Sequence, residues 1–346
     1  MKVDQTSMIQ PDSMPGSDSK DSLPWKRLLL LAVLGSGLAI LLVYPFSLAS
    51  RSWSELFNLA HMPCFFAEFL LIAGVLDPSC VGLPASWCRV LRLNASRLIL
   101  LAVALTIIGI TCEVLQEFVG RSPSVSDVLA NGCGLAAALF WCLGRPIASR
   151  VRRVGLTLIA AGLLITPSWS PIAELYDCSL QQRAFPILSS FERTRELHTW
   201  EAHEATIARA TEWSTHGQMS MKVQGGAGSV HPGARFQWPM TDWTGYTTLE
   251  LDLLNPSDEP MTLRISISDE AHAASGYAPT DRFRTSIELP PGKPTPVRIQ
   301  LANVLDAPET RDMDLSRIHS VNLFTVRPET DFAFLVDHVR LTNEGD

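Results

Sequence analysis

Glu113, Gln116, Asp127 and Asn131 stand inside and between two strongly apolar stretches joined by a short turn, and His61 and Glu68 stand at the start of and within a third. A charged side chain at hydrocarbon depth costs about 2.5 to 3.5 kcal/mol on insertion scales, so such groups are either paired or functional. On a helix Glu113 shares a face with Gln116 and Glu117, three and four residues on, and Asp127 shares one with Asn131. The turn carrying Arg121 brings these two faces together, and His61 and Glu68, seven residues apart, lie on nearly one face of their own helix. An imidazole that titrates near neutrality beside desolvated carboxylates can act as an acid/base group or orient a ligand. In that reading Arg121 engages an anionic partner, while Gln116 and Asn131 supply hydrogen bonds. A second reading uses the same residues as scaffold: Arg121 pairs with Asp127 or Glu117, Asn131 bonds a neighbouring helix, and the cluster pins a hairpin. No Ser or Cys stands in a nucleophile frame. Ser122, Ser124 and Ser126 read as turn residues, with Ser126 or Asp127 capping the helix that follows.

The elements that must position these groups are membrane spans. The 346-residue chain is 47% hydrophobic and holds five apolar runs: Leu28 to Leu48, Met62 to Leu76, Leu98 to Val114, Val128 to Leu143, and Val154 to Ile165 extended towards Ile172. About 20 apolar residues cross a bilayer core, so these predict five helices of a transmembrane domain over residues 25–172, after a disordered tail at 1–24. The first run reads as an anchor rather than a cleaved signal sequence. Lys26, Arg27, Arg89, Arg92, Arg97, Arg145, Arg150, Arg152 and Arg153 fall in one set of loops, and only Arg51 and Arg121 in the other. By the positive-inside tendency the N-terminus is cytoplasmic, and the chain beyond about residue 173 is periplasmic or extracellular on a bacterial inner membrane.

The combination of His61, Glu113-x-x-Gln116, Arg121, Asp127 and Asn131-Gly132 on consecutive apolar helices resembles the VanZ-like family over about residues 50–145. The resemblance implies a small helical membrane protein acting at the cell envelope, with a link to tolerance of teicoplanin-type glycopeptides. It implies no particular reaction.

Beyond a linker at 173–187 the composition changes. Residues 1–178 hold 13 basic against 12 acidic side chains, and the remainder holds 15 against 23, so neither part has the basic excess of a nucleic-acid partner. Short alternating runs, bounded by Pro, Gly, Asn and Asp, predict strands at 206–210, 220–223, 234–238, 248–254, 261–268, 282–289, 297–301, 321–326 and 334–341, an antiparallel β-sandwich over 188–343. Only Cys178 of the seven cysteines lies past the membrane part, so the sandwich must stand on its hydrophobic core without disulfides; no Cys/His spacing suggests zinc. Asp242-Trp-Thr-Gly-Tyr246, Leu249 to Asn255, Leu289-Pro-Pro-Gly292 and Phe334 to Leu341 resemble the galactose-binding-like jelly roll of carbohydrate-binding modules.

Sugars are held by flat aromatic rings against their CH faces and by polar side chains on their hydroxyls. Trp200, Trp213, Trp238, Tyr277 and Phe283 are the aromatic candidates, with Asp269, His272, Asp281, Arg282 and Arg284 as polar company; the loop from His272 to Arg282 is the favoured place. Each Trp has the alternative of being core, and Trp243 and Tyr246 read as core. Glu192 and Asp337, on the first and last strands, could hold a structural calcium, as modules of this type often do; no other cofactor is implied. The expectation is therefore a multi-domain protein, a helical transmembrane bundle with a jelly-roll sandwich, whose partners are the lipid bilayer and an envelope glycan or lipid-linked saccharide. The alternatives are a hydrolase or transferase acting on glycolipid through Glu113, His61 and Asp127, and an assembly protein of a polysaccharide synthesis or export complex.

Overall fold

The computed structural model describes residues 29, 32, 35, 51–76, 94–119, 124–237 and 240–343. The tail at 1–24, nearly all of the run Leu28 to Leu48, and Lys26, Arg27, Arg89, Arg92, Arg121, Ser122 and Trp238 lie outside the described residues.

Four described helices, α1 (Arg51–Leu76), α2 (Ala95–Gln116), α3 (Val125–Gly144) and α4 (Arg150–Ala184), are long and apolar enough to cross a membrane. Asn94 caps α2 by accepting from the Arg97 N–H at 3.1 Å. Ser124, not Ser126 or Asp127, caps α3, accepting from the Asp127 N–H at 3.4 Å. An Ncap hydroxyl satisfies one of the four N–H groups a helix start leaves over. Helix α1 begins eleven residues before the predicted Met62 and runs through Pro63, so His61 lies inside a helix rather than opening one.

The chain divides into two compact units, residues 1–47 with 60–168 and residues 48–59 with 169–346. In the first, Phe65, Phe69 and Ala73 of α1 pack with Leu98 and Leu105 of α2 and with Leu135, Ala138 and Cys142 of α3. Glycine makes this approach possible: a Cβ at Gly134 would lie 2.3 Å from the Met62 carbonyl oxygen. Among the described residues the other flank of α2 stays open, with Leu100 68% and Ile107 59% exposed.

In the second unit, residues 173–184 continue α4 where a linker was predicted, although Pro167 and Pro171 precede them. Residues 173–184 hold mostly good helix formers, and ion pairs with distant residues add to that. The Arg51 guanidinium pairs with Glu174 and, at 3.2 Å, with Asp177; Arg193 reaches Asp177 at 3.0 Å; Arg195 and His198 also meet Glu174. Arg51 is thus a buried ion-pair member, and its place in a loop count says little.

The rest of this unit is an antiparallel sandwich of eleven strands. One sheet runs β3 (Ala205–Ala210), β4 (Ser220–Gly225), β11 (Phe332–Thr342), β6 (Thr248–Leu254), β9 (Pro294–Gln300), with β1 (Ile187–Ser189) also on β11. The other runs β2 (Trp200–His203), β5 (Gly233–Phe236), β10 (Ile318–Phe324), β7 (Met261–Asp269), β8 (Phe283–Leu289). Period-two alternation sends Leu249, Leu251 and Leu253 of β6 and Leu263, Ile265 and Ile267 of β7 into one core with Val321, Leu323, Phe334 and Val336. Trp243 is fully buried there, as expected, and Tyr246 is half-buried against it.

This core is continuous and disulfide-free, so a fragment of residues 185–343 is expected to unfold in one cooperative denaturant transition whose midpoint is unmoved by reductant. A broad, probe-dependent transition would show that the core needs the helices.

Candidate functional site

Three apolar helices place the polar groups of the first unit. His61 is 1% exposed on α1, Glu113 2% and Gln116 1% on α2, and Asn131 4% on α3, with Asp127 half-buried one turn before it. His61 Nδ1 meets Asn131 Oδ1 at 3.1 Å, the interhelical bond of the scaffold reading. The Ser124 N–H donates to Glu113 Oε2 at 3.4 Å, tying the start of α3 to α2. One ligand-capable atom from each of His61, Glu113 and Asp127 lies within 4.8 Å of the others. Two predicted members do not join: Glu117 is exposed just past α2, and Glu68, although buried, is outside this group. Arg121 lies outside the described residues.

In the sandwich the favoured loop is organised from within. Arg311 forks onto two carboxylates, Nη2 to Asp269 Oδ1 at 2.7 Å and Nε to Asp281 Oδ1 at 2.8 Å, while His272 Nδ1 meets Asp281 Oδ2 at 3.2 Å. The Asp314 N–H donates to Asp269 at 2.9 Å. Asp269, His272 and Asp281 are buried, so these three predicted sugar contacts are a correction: they brace two loops. Hydrogen bonds from Arg311 hold Asp281 down to about 2; for Asp269, burial pushes up, but Arg311 and the Asp314 N–H outweigh it and the net shift is down. Arg311 was missed because its partners lie 30 and 42 residues away.

Trp200 is also a correction. It stacks on Phe236 at 4.8 Å and donates its indole N–H to Ser189, wholly inside the core. Phe283 packs against the same core, and Trp213 is half-buried between β3 and β4. Tyr277 stays 67% exposed, its ring edge-on to His272 at 5.6 Å.

The outer face of the β2-β5-β10-β7-β8 sheet gathers polar groups instead. Register aligns Glu201, Arg235, Asn322, Ser266 and Arg284 in one row across the five strands, with Arg264 in the next. Its floor is hydrogen-bonded: Ser268 to Ser320 at 3.0 Å, and Asn322 Nδ2 to Ser266 at 3.3 Å. Arg235 donates to His319 Nε2 at 2.9 Å; burial, then the Arg235 charge, hold that imidazole below its usual range and therefore able to accept. Arg282 stands in the bend just before β8, near enough to Arg284 for the two charges to repel. The Nε groups of Arg235 and Arg282 are buried with no hydrogen-bond partner among the described residues. A buried guanidinium N–H without an acceptor is costly and calls for an explanation. The signal in the sequence was the polar alternation Arg264, Ser266, Ser268 facing Asn322 and Ser320, which carries no aromatic.

Glu192 and Asp337 grip one loop. Glu192 Oε1 accepts from the Gln218 and Met219 N–H groups, each at 2.8 Å, and Asp337 Oδ2 accepts from Thr215 and His216 N–H at 2.7 and 2.8 Å. The loop thus turns N–H donors toward these carboxylates, whereas calcium asks for further oxygens. This donor set fits a loop clamp and does not fit a calcium cage.

The fold so built is an antiparallel β-sandwich joined to apolar helices. No protein-family model and no curated protein matches the chain. Among solved structures, a family 11 carbohydrate-binding module from Clostridium thermocellum, in complex with a beta-1,3-1,4-mixed-linked tetrasaccharide, is similar at 18% identity with a TM-score of 0.37, over 45% of this chain and 94% of that one. An exo-beta-agarase is similar at 17% identity with a TM-score of 0.38, again over 45% of this chain but only 24% of that one.

Proposed function

We propose that the protein is a multi-pass membrane protein whose sandwich binds an acidic envelope glycan, or a lipid-linked saccharide, on the outer face of the β2-β5-β10-β7-β8 sheet. The observation that carries this reading is the pair of buried Nε groups of Arg235 and Arg282 that have no hydrogen-bond partner among the described residues, with Arg235 in register with Asn322 and Ser266. The partly exposed Asn322 amide suits sugar hydroxyls, and guanidinium forks suit carboxylate or phosphate. Arg264 and Arg284, both exposed, add cations to this face although the part of the chain beyond residue 178 is net acidic. Tyr277 offers the one strongly exposed ring among the described aromatic candidates.

Membrane insertion is supported by the four apolar helices and by the large apolar side chains they leave uncovered, which a bilayer would cover. Arg145, Arg150, Arg152 and Arg153, in or beside the α3–α4 connection, set that end in the cytoplasm, leaving the sandwich on the outer side. The VanZ-like resemblance of residues 50–145 extends the proposal to envelope maintenance and glycopeptide tolerance.

A glycan panel probed with residues 185–343 tests the sandwich. Retention on uronate- or phosphate-bearing saccharides, lost with rising salt, is expected. Retention on none of them would remove the glycan reading and leave the assembly alternative.

A further inference from the structure

We propose that His61, Glu113 and Asp127 bind one divalent transition-metal ion, of the zinc or manganese class, where α1, α2 and α3 meet. One donor atom from each lies within 4.8 Å of the other two, and His61 and Glu113 are almost wholly buried. Metal–ligand bonds of about 2.0 to 2.2 Å hold neighbouring ligand atoms roughly 3 to 4 Å apart, so rotamer adjustments of under about an ångström would close the set. The buried Glu113 and half-buried Asp127 carboxylates repel when brought together, and a cation between them removes the repulsion.

The hydrogen bond of His61 selects the nitrogen. Nδ1 faces the Asn131 carbonyl oxygen at 3.1 Å; in the tautomer with the proton on Nδ1, the Nε2 lone pair is the one left for a metal. An amide carbonyl holding the far side of a ligand imidazole is the usual outer support of a metal site. The amide Nδ2 of Asn131 and Nε2 of Gln116 are buried without partners among the described residues, and Gln116 sits one turn beyond Glu113 on the same face of α2. Each is a free donor, among the described residues, of the kind that a ligand carboxylate or a metal-bound water accepts from.

One imidazole with two carboxylates is a mixed nitrogen and oxygen set. It favours zinc or manganese over the all-oxygen sites of calcium and magnesium and over thiolate sites. Three protein ligands leave at least one coordination position open to water or to an oxygen of a bound molecule. The proposal rests on residues 61–131 and is independent of glycan binding by the sandwich.

The test uses full-length protein in detergent, stripped with chelator, loaded separately with zinc or manganese chloride and desalted. Metal is read by mass spectrometry and, for manganese, by its paramagnetic resonance spectrum. About one ion per chain is expected in the parent protein, with occupancy lowered at least about tenfold in Glu113→Gln and His61→Asn. Glu117→Gln, at an exposed site beyond the helix, is expected to load normally. Because Glu113→Gln could disturb folding, helix content is recorded for each variant, and Asp127→Asn, at a half-buried position, serves as the second ligand variant. Metal is also expected to raise the Tm of the parent and not that of Asp127→Asn. A well-folded parent that retains no metal, or equal loading of parent and ligand variants, would overturn the site and assign its charge balance to protons or to Arg121.

Discussion

Arg311→Ala is expected to lower the stability of the 185–343 fragment by about 3 to 5 kcal/mol, the usual cost of removing one partner from a buried ionic cluster. Asp269 and Asp281 would be left facing each other and His272 with their shared cation gone, and the loops at 270–282 and 306–317 would lose their common brace. Arg311→Lys is expected to recover only part, since an ammonium cannot fork onto two carboxylates. The pH dependence supplies a second signature. Asp281 is held at about 2 in the folded protein, below the roughly 3.9 of an unfolded chain, so its contribution is present above pH 4 and lost as pH falls towards 2. Asp269 shifts in the same direction. Denaturation midpoints measured between pH 6 and about 2.5 should fall steeply for the parent and less steeply for Arg311→Ala. An unchanged midpoint at pH 7 would show that the cluster is ornamental to stability.

Gly134→Ala should disrupt the helical unit. The added carbon would lie 2.3 Å from the Met62 carbonyl oxygen, and backbone cannot swing aside as a side-chain tip can. Overpacking of this kind costs about 1 to 3 kcal/mol. Met62 follows His61, and Gly134 lies three residues after Asn131, so forcing α1 from α3 should also open the His61–Asn131 bond. Thermal unfolding in detergent should show a lower Tm, with metal loading reduced alongside. Gly132→Ala, where a Cβ meets nothing within 4 Å, is the matched control. Equal behaviour of the two variants would contradict the close approach of the helices.

Local periodicity made much of this fold legible. Thr248–Leu254 is a strand over the predicted residues because Leu249, Leu251 and Leu253 alternate without interruption. β1 and β2 escaped notice, since three or four residues give too little alternation to read. Residues 173–184 read as linker but continue α4, and the Arg51, Arg193 and Arg195 partners of their Glu174 and Asp177 are distant in sequence. Side-chain type alone misled at Trp200 and Asp281: an indole or a carboxylate near a loop looks like a sugar contact until a stacking ring or an arginine is found beside it. For the polar sheet face the limit was different. Ser266, Ser320 and Asn322 are unremarkable residues whose meaning comes from cross-strand register. The helical polar cluster was readable because polar groups in an apolar background are conspicuous, but which of them converge depended on where α1 starts and how α3 is capped.

The most direct measurement is a calorimetric titration of the 185–343 fragment with an acidic oligosaccharide from the glycan panel, repeated on Arg264→Ala/Arg284→Ala. Both arginines are exposed on the outer face of the β2-β5-β10-β7-β8 sheet and outside the core, so the doubly substituted fragment should keep the parent's unfolding midpoint. Binding by the parent, weakened at least about tenfold (about 1.4 kcal/mol) in the variant, is the expected result. Binding of equal strength by parent and variant would place the glycan elsewhere on the sandwich, and no heat of binding from the folded parent would contradict glycan recognition altogether.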